Sequence, residues 1–251
     1  MHAFDHPLIV LVAALIVQWA AAYAGDLLRK KVRSLRESER ADFDVIRTAT
    51  LTLLGLIIGF SFAMAVTRYD QRKNYEEAEA NAIGTEYVRA DLLPADDASR
   101  VRDLLRKYLE QRILFYVTHD EKKVDQINAD TAKLQTELWS AVARVAQTQQ
   151  TPIIALAVWG MNDVLNSQGY TQSAWWNRIP VAAWALMMLM AVACNLLFGY
   201  GEHRTSGFAF ILPIIVSISF FLIADIDSPR AGVINVAPYN LIALSQSMKA
   251  P

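Results

Sequence analysis

Apolar side chains fall into four uninterrupted runs along the chain, and between the second and third of them into helical stripes. His6 to Gly25, Thr48 to Thr67, Ile179 to Gly201 and Thr205 to Ala224 contain no Asp, Glu, Lys or Arg. Each run matches the roughly 20 residues a helix needs to cross a bilayer. Within the first, Leu8 to Ala24 is interrupted only by Gln18, and Trp19 and Tyr23 near its end suit a lipid–water interface. The composition of Leu27 to Arg40 predicts a short surface helix, with Asp42 or Asp44 capping the span that follows. The second span leaves the membrane without a break, because Asp70 to Arg89 is helical in composition, and Leu93-Pro94 marks its end.

Beyond Pro94 the period changes from continuous to amphipathic. Val101, Leu104, Leu105, Tyr108, Ile113 and Val117 follow i, i+3, i+4 spacing after a candidate cap at Asp96 or Asp97. A second stripe carries Val124, Ile127, Leu134, Leu138, Val142 and Val145, and after Thr151-Pro152 a third helix runs from Ile153 towards Trp176. Pro180 opens the third span, where a missing amide costs little, and Pro213 predicts a kink in the fourth. Ala231 to Met248 is also uncharged, but Asn235, Pro238, Asn240 and Gln246 dilute it below a span. The reading is an all-α integral membrane protein with four transmembrane helices and an inserted helical extramembrane domain. Residues 1–67 hold spans one and two with their basic loop, 68–178 the helical domain, 179–225 spans three and four, and 226–251 a tail.

Composition sharpens this class. The 251 residues are 54% hydrophobic and 20% charged, against about 25% charged in a soluble domain. A net charge of −1 without zinc-finger or RNA-binding spacing argues against nucleic acid as a partner. The single cysteine, Cys194, excludes an intrachain disulfide. Ala22-Tyr23-Ala24 has the form of a cleavage site, but no Lys or Arg precedes the first run and Arg29-Lys30-Lys31 follow it, the flanks of a retained anchor. Seven Lys or Arg lie between spans one and two and one between spans three and four. Counted over short loops, this places the N-terminus and the 68–178 domain outside an inner (plasma) membrane crossed several times.

Signatures of catalysis are missing: no GxSxG, P-loop, HExxH or dinucleotide fingerprint occurs, so neither an enzyme nor a cofactor is expected. His2, His6, His119 and His203 are scattered, and no metal site is expected. Glu76, Glu77 and Glu79 read as a solvated helix face paired with Arg72 and Lys73. Thr50, Ser61, Asn195, Ser217 and Ser219 are polar at membrane depth, and each alone is more often structural than functional. In the second span Gly55, Gly59 and Ala63 form a ridge of small residues suited to close helix contact. Thr52, Leu56 and Phe60 form a second stripe about 100° away, which can line a pore, face lipid or pack in a bundle. Arg68 stands at one end of this span. Asp225 and Asp227 end the fourth span, where carboxylates tend to be paired or to mark an ion path, and Arg230 is the nearest partner for a turn tied by an ion pair.

Gly59-Phe60 followed by Arg68-Tyr69, in GFSFAMAVTRYDQRKNY, resembles the second transmembrane helix of the bestrophin anion channels. Together with EEAEANAIGTEYVRADLLP at 76–94 and DIDSPRAGVINV at 225–236, the order of segments resembles the bacterial bestrophin-like membrane proteins over nearly the whole chain. The resemblance implies a homo-oligomeric channel whose second helices surround a pore with an apolar neck, here Thr52, Leu56 and Phe60. Phe60 keeps the bulky aromatic, whereas Thr52 and Leu56 are smaller than the family pattern. It also implies a cytoplasmic 68–178 domain, opposite to the charge count. The functional expectation is an ion channel for small monovalent anions, with Arg68, Asp225 and Asp227 as ion-interacting residues near its mouths. The competing expectation is a membrane-anchored helical interaction or sensor module without transport.

Overall fold

The computed structural model describes residues 6–31, 36–201 and 211–249. Its helices are α1 (Pro7–Lys31), α2 (Glu37–Arg89, followed by a 3₁₀ turn Ala90–Leu92), α3 (Ala95–Val117), α4 (Glu121–Thr148), α5 (Pro152–Trp176), α6 (Val181–Gly201), α7 (Ile211–Asp227) and α8 (Tyr239–Ser247). No strand occurs among the described residues. Among the described residues three stretches are long and apolar enough to cross a membrane: Pro7–Lys31, Glu37–Leu92 and Pro152–Gly201. The fourth apolar run is described from Ile211, as the 17 residues of α7; its start at Thr205, and His2 and His203, lie outside the described residues. The chain divides into two compact units, Met1–Tyr69 with Arg178–Asn235, and Asp70–Asn177 with Val236–Pro251.

In the first unit α1 packs against α6 and α7. Gly25 and Gly199 let α1 and α6 approach backbone to backbone: a Cβ on Gly25 would overlap the Leu196 carbonyl oxygen and come within 2.8 Å of Tyr200 N, and one on Gly199 would overlap the Ala22 carbonyl. Three helices meet at a buried amide chain, where Asn195 Nδ2 donates to Gln18 Oε1 (3.1 Å) and Gln18 Nε2 donates to Ser217 Oγ (3.1 Å). Gln18, the one polar interruption of the first span, is thus satisfied from two other helices, as a buried amide must be. Around it Val10, Ala14, Leu54, Ala65, Met187, Ala191, Phe220 and Ile223 form the core, with Trp184 edge-on to Phe220 at 6.3 Å.

Of the separate surface helix expected over Leu27 to Arg40, residues 32–35 lie outside the described residues, and the described parts belong to α1 and α2. Leu27–Lys31 extends α1, because Asp26 pairs with Arg29 (2.6 Å) and Lys30 (2.8 Å) one turn on, and cations complement a helix C-terminus. The next helix begins at Glu37, where Glu39 Oε2 accepts from Arg36 N at 3.1 Å, as the acidic arm of a capping box does. Asp42 and Asp44 therefore lie inside α2 and cap nothing. Likewise α3 has Pro94 at its N-cap, and Asp96 and Asp97 sit in its first turn, where they offset the positive helix end.

The second unit packs the 70–89 part of α2 with α3, α4 and α5 around Ile83, Val101, Leu105, Tyr108, Phe115, Leu138, Val142, Met161 and Val164. Asp120 and Thr151 cap α4 and α5. The expectation of a solvated Glu76–Glu79 face is overturned, since both side chains are buried. Glu79 Oε1 pairs with Arg112 Nε, and Glu79 Oε2 accepts from Thr171 Oγ1 at 3.0 Å. Glu76 accepts from Leu241 N (3.0 Å) and Asn240 Nδ2 (2.6 Å), which ties the start of α8 to α2. Both acids sit on the face of α2 that also buries Arg72, Ala80 and Ile83.

Candidate functional site

Between Thr48 and Thr67, α2 uses one face for packing and leaves the rest open. Leu54, Ser61 and Ala65 are buried, with Ile57 and Ile58 against the core. Thr52, Leu56 and Phe60 are exposed, Leu56 at 52% and Phe60 at 63%. The Thr52 hydroxyl bonds back to Thr48 O at 2.9 Å, so its methyl group, not a donor, is turned outward along the helix surface. Gly55, Gly59 and Ala63 are also exposed, and a Cβ on either glycine would meet nothing within 4 Å. Both stripes named from the sequence therefore lie bare on an apolar helix, on adjacent faces.

Arg68 is half-buried at the end of this segment. The two terminal carboxylates of α7 have different work. Asp225 Oδ1 and Oδ2 accept from Val233 N (2.7 Å) and Ile234 N (2.9 Å), folding the loop after α7 back onto its end. Gly232 is required there, because a Cβ would overlap the Asp225 carbonyl oxygen. Asp227 accepts from Ile179 N through both oxygens (3.3 and 3.0 Å), while Arg178 Nη1 donates to the Asp227 carbonyl at 3.1 Å. These carboxylates hold the entrance to α6 and the exit from α7 through charge-assisted hydrogen bonds from backbone amides.

Two charged features escaped the sequence reading. Glu86 is completely buried, and neither carboxylate oxygen has a hydrogen-bond partner. Burial pushes its carboxyl up to about 8, against the attraction of Arg89 and with a contribution from Asp163. Tyr108 and Tyr116 are raised, first by burial and then by the Glu79 charge. The second feature is a cavity of about 180 Å³ lined by Arg29, Arg40, Phe43, Asp44, Arg47, Tyr200 and Gly201. The basic run after the first span was the available signal for it. No group of His, Cys, Asp and Glu among the described residues could hold a metal ion.

Long apolar helices knitted by glycines and buried amides, joined in one chain to a helical unit built on a buried ion pair, define an all-helical membrane protein. The family model for the Bestrophin-like domain matches residues 14–241. The chain belongs to the bestrophin-like family. Among solved structures it is similar to a bacterial bestrophin homolog from Klebsiella pneumoniae, at 14% identity and a TM-score of 0.64, covering 96% of this chain and 95% of that one. A point variant of the Klebsiella pneumoniae homolog matches at 12% identity and a TM-score of 0.64, over 96% of this chain and 97% of that one. At these identities the likeness concerns the fold. No curated protein matches the sequence.

Proposed function

We propose that the chain is a subunit of a homo-oligomeric ion channel in the inner membrane, with α2 lining an axial pore for small monovalent anions. Four segments cross the bilayer: α1, residues 48–67 of α2, α6, and the fourth apolar run through α7. Residues 68–178 form a helical domain inserted between the second and third. The observation that carries the reading is the bare pair of stripes on α2. A ridge of small residues can seat against a neighbouring subunit, which turns Thr52, Leu56 and Phe60 towards a common axis. Leu56 and Phe60 then form an apolar constriction that passes ions only when it wets or widens.

Arg68 near one mouth favours anions, and Asp225 and Asp227 are buried and committed to backbone amides rather than open to an ion path. Family membership supports placing the 68–178 domain in the cytoplasm, against the short-loop charge count. A second reading draws on α5, where Ile153, Leu156, Trp159 and Trp176 are all more than half exposed: an interaction module that binds a protein partner.

Purified protein in liposomes should pass chloride faster than empty vesicles do. Leu56→Ala/Phe60→Ala should raise the flux, and Leu11→Ala, on the first span, should leave it unchanged. Reversal potentials under a salt gradient should favour chloride over the cation. Absence of flux for every monovalent ion in both proteins, from a reconstituted oligomer, would replace the channel with the interaction module.

A further inference from the structure

We infer that the cavity at the α1, α2 and α6 termini of the first unit is a phosphate-binding site, filled by the headgroup of an anionic phospholipid or by a free phosphate. The lipid arm rests on the reading that these helices cross a bilayer. Its walls come from three places in the chain: Arg29 just after the first span, Arg40 to Arg47 just before the second, and Tyr200-Gly201 at the end of the third. The cavity therefore opens where three spans end on one side, at headgroup depth. Aromatic residues favour that depth, and here Phe43 and Tyr200 meet at 5.8 Å between ring centroids.

Charge selects the ligand. Among the described residues three guanidinium groups line the cavity against one carboxylate, Asp44, which is engaged by Arg47 at 3.1 Å. That bond, with the Arg47 guanidinium 5.0 Å from the centre of the Phe198 ring, fixes the Arg47 plane. Arg29 is held by Asp26 through Nη2, which leaves its Nε buried without a hydrogen-bond acceptor. Arg40 is exposed at the rim and contributes charge. Forked donors held in fixed planes match the tetrahedral oxygens of phosphate better than a single halide ion. Space is set by Gly201, where a Cβ would come within 2.7 Å of the Phe43 ring. About 180 Å³ accommodates a phosphate with bridging water.

The test titrates the detergent-purified protein by calorimetry with three probes: inorganic phosphate, short-chain phosphatidylglycerol, and short-chain diacylglycerol as the phosphate-free control. Phosphatidylglycerol should bind and diacylglycerol should not. Arg40→Gln and Arg29→Lys should each weaken binding by about tenfold, the loss expected for one charge-assisted hydrogen bond. Arg29→Lys keeps the charge and the tie to Asp26, so its loss reports the guanidinium geometry and not collapse of the helix end. Binding of phosphatidylglycerol alone identifies the lipid, and binding of inorganic phosphate as well identifies a general phosphate site. Equal binding of diacylglycerol, or phosphate-probe affinities unchanged in both variants, would overturn the proposal. No ion flux is measured, so this outcome is independent of whether α2 conducts.

Discussion

At the scale of single residues, glycine separates two kinds of helix contact that look the same in sequence. Gly55 and Gly59, spaced by four, form the motif usually read as a packing face, yet among the described residues nothing lies within 4 Å of a Cβ placed on either. Gly25 and Gly199 belong to no repeated motif and carry the tightest approach between α1 and α6. Their pairing depends on two segments more than 170 residues apart, a juxtaposition that local spacing cannot announce. Because backbone atoms meet each of these glycines, no rotamer change can make room for a methyl group. Gly25→Ala should therefore lower the melting temperature of the detergent-solubilised subunit strongly, and Gly199→Ala likewise. Gly55→Ala and Gly59→Ala should leave the subunit's own stability near wild type and instead shift the oligomer–monomer ratio in size-exclusion light scattering. Equal destabilisation by all four would contradict this division.

Among the elements, the helices with one apolar stripe were legible and the polar core between them was not. The stripe of α4, that of α3 through Tyr108 and the Thr151-Pro152 start of α5 follow from periodicity and capping, because each is a property of its own segment, whereas Val117 is exposed and Phe115 and Tyr116 are buried in its place. Glu79 is different: its partner Arg112 lies 33 residues away on another helix, so its local neighbours Arg72 and Lys73 suggested a solvated pair. Bared of Glu79, Arg112 would keep a buried charge uncompensated, which costs about 3–5 kcal/mol. Glu79→Ala should lower stability by that order, whereas exposed Glu77→Ala should not.

Glu86 gives the same unit a pH dependence. Its carboxyl titrates near 8 when folded against an ordinary 4.5, so the folded state holds a proton that the unfolded state has released between those values. This contribution to stability is complete below about 4.5 and is lost as pH rises through about 8. Arg89 on the same helix and Asp163 on α5 are the charges that act on it. Glu86→Gln should melt above wild type at pH 9 and near it at pH 4.5, with a flatter profile between. A parallel profile for the two proteins would show that Glu86 does not titrate in this range.

For the molecule as a whole, membership of the bestrophin-like family and the charge of the short loops point to opposite sides of the membrane. Seven cations between the first two apolar runs dominate the charge count, yet the folded chain employs several of them. Arg29 and Lys30 are held by Asp26, and Arg47 by Asp44. Those pairs stiffen helix ends, so three of the seven cations have structural work that weakens their weight as a topological signal. On that argument the family arrangement is the one we propose, with the 68–178 domain on the cytoplasmic side. Single cysteines decide it, because the one native thiol, Cys194, is buried. In a Cys194→Ser background, Ser38→Cys near the start of α2 and Ser99→Cys in α3 both occupy exposed positions. Intact cells treated with a membrane-impermeant maleimide should label Ser38→Cys and spare Ser99→Cys until the membrane is opened. Labelling of Ser99→Cys in intact cells, with Ser38→Cys protected, would restore the placement read from charge and put the helical domain outside.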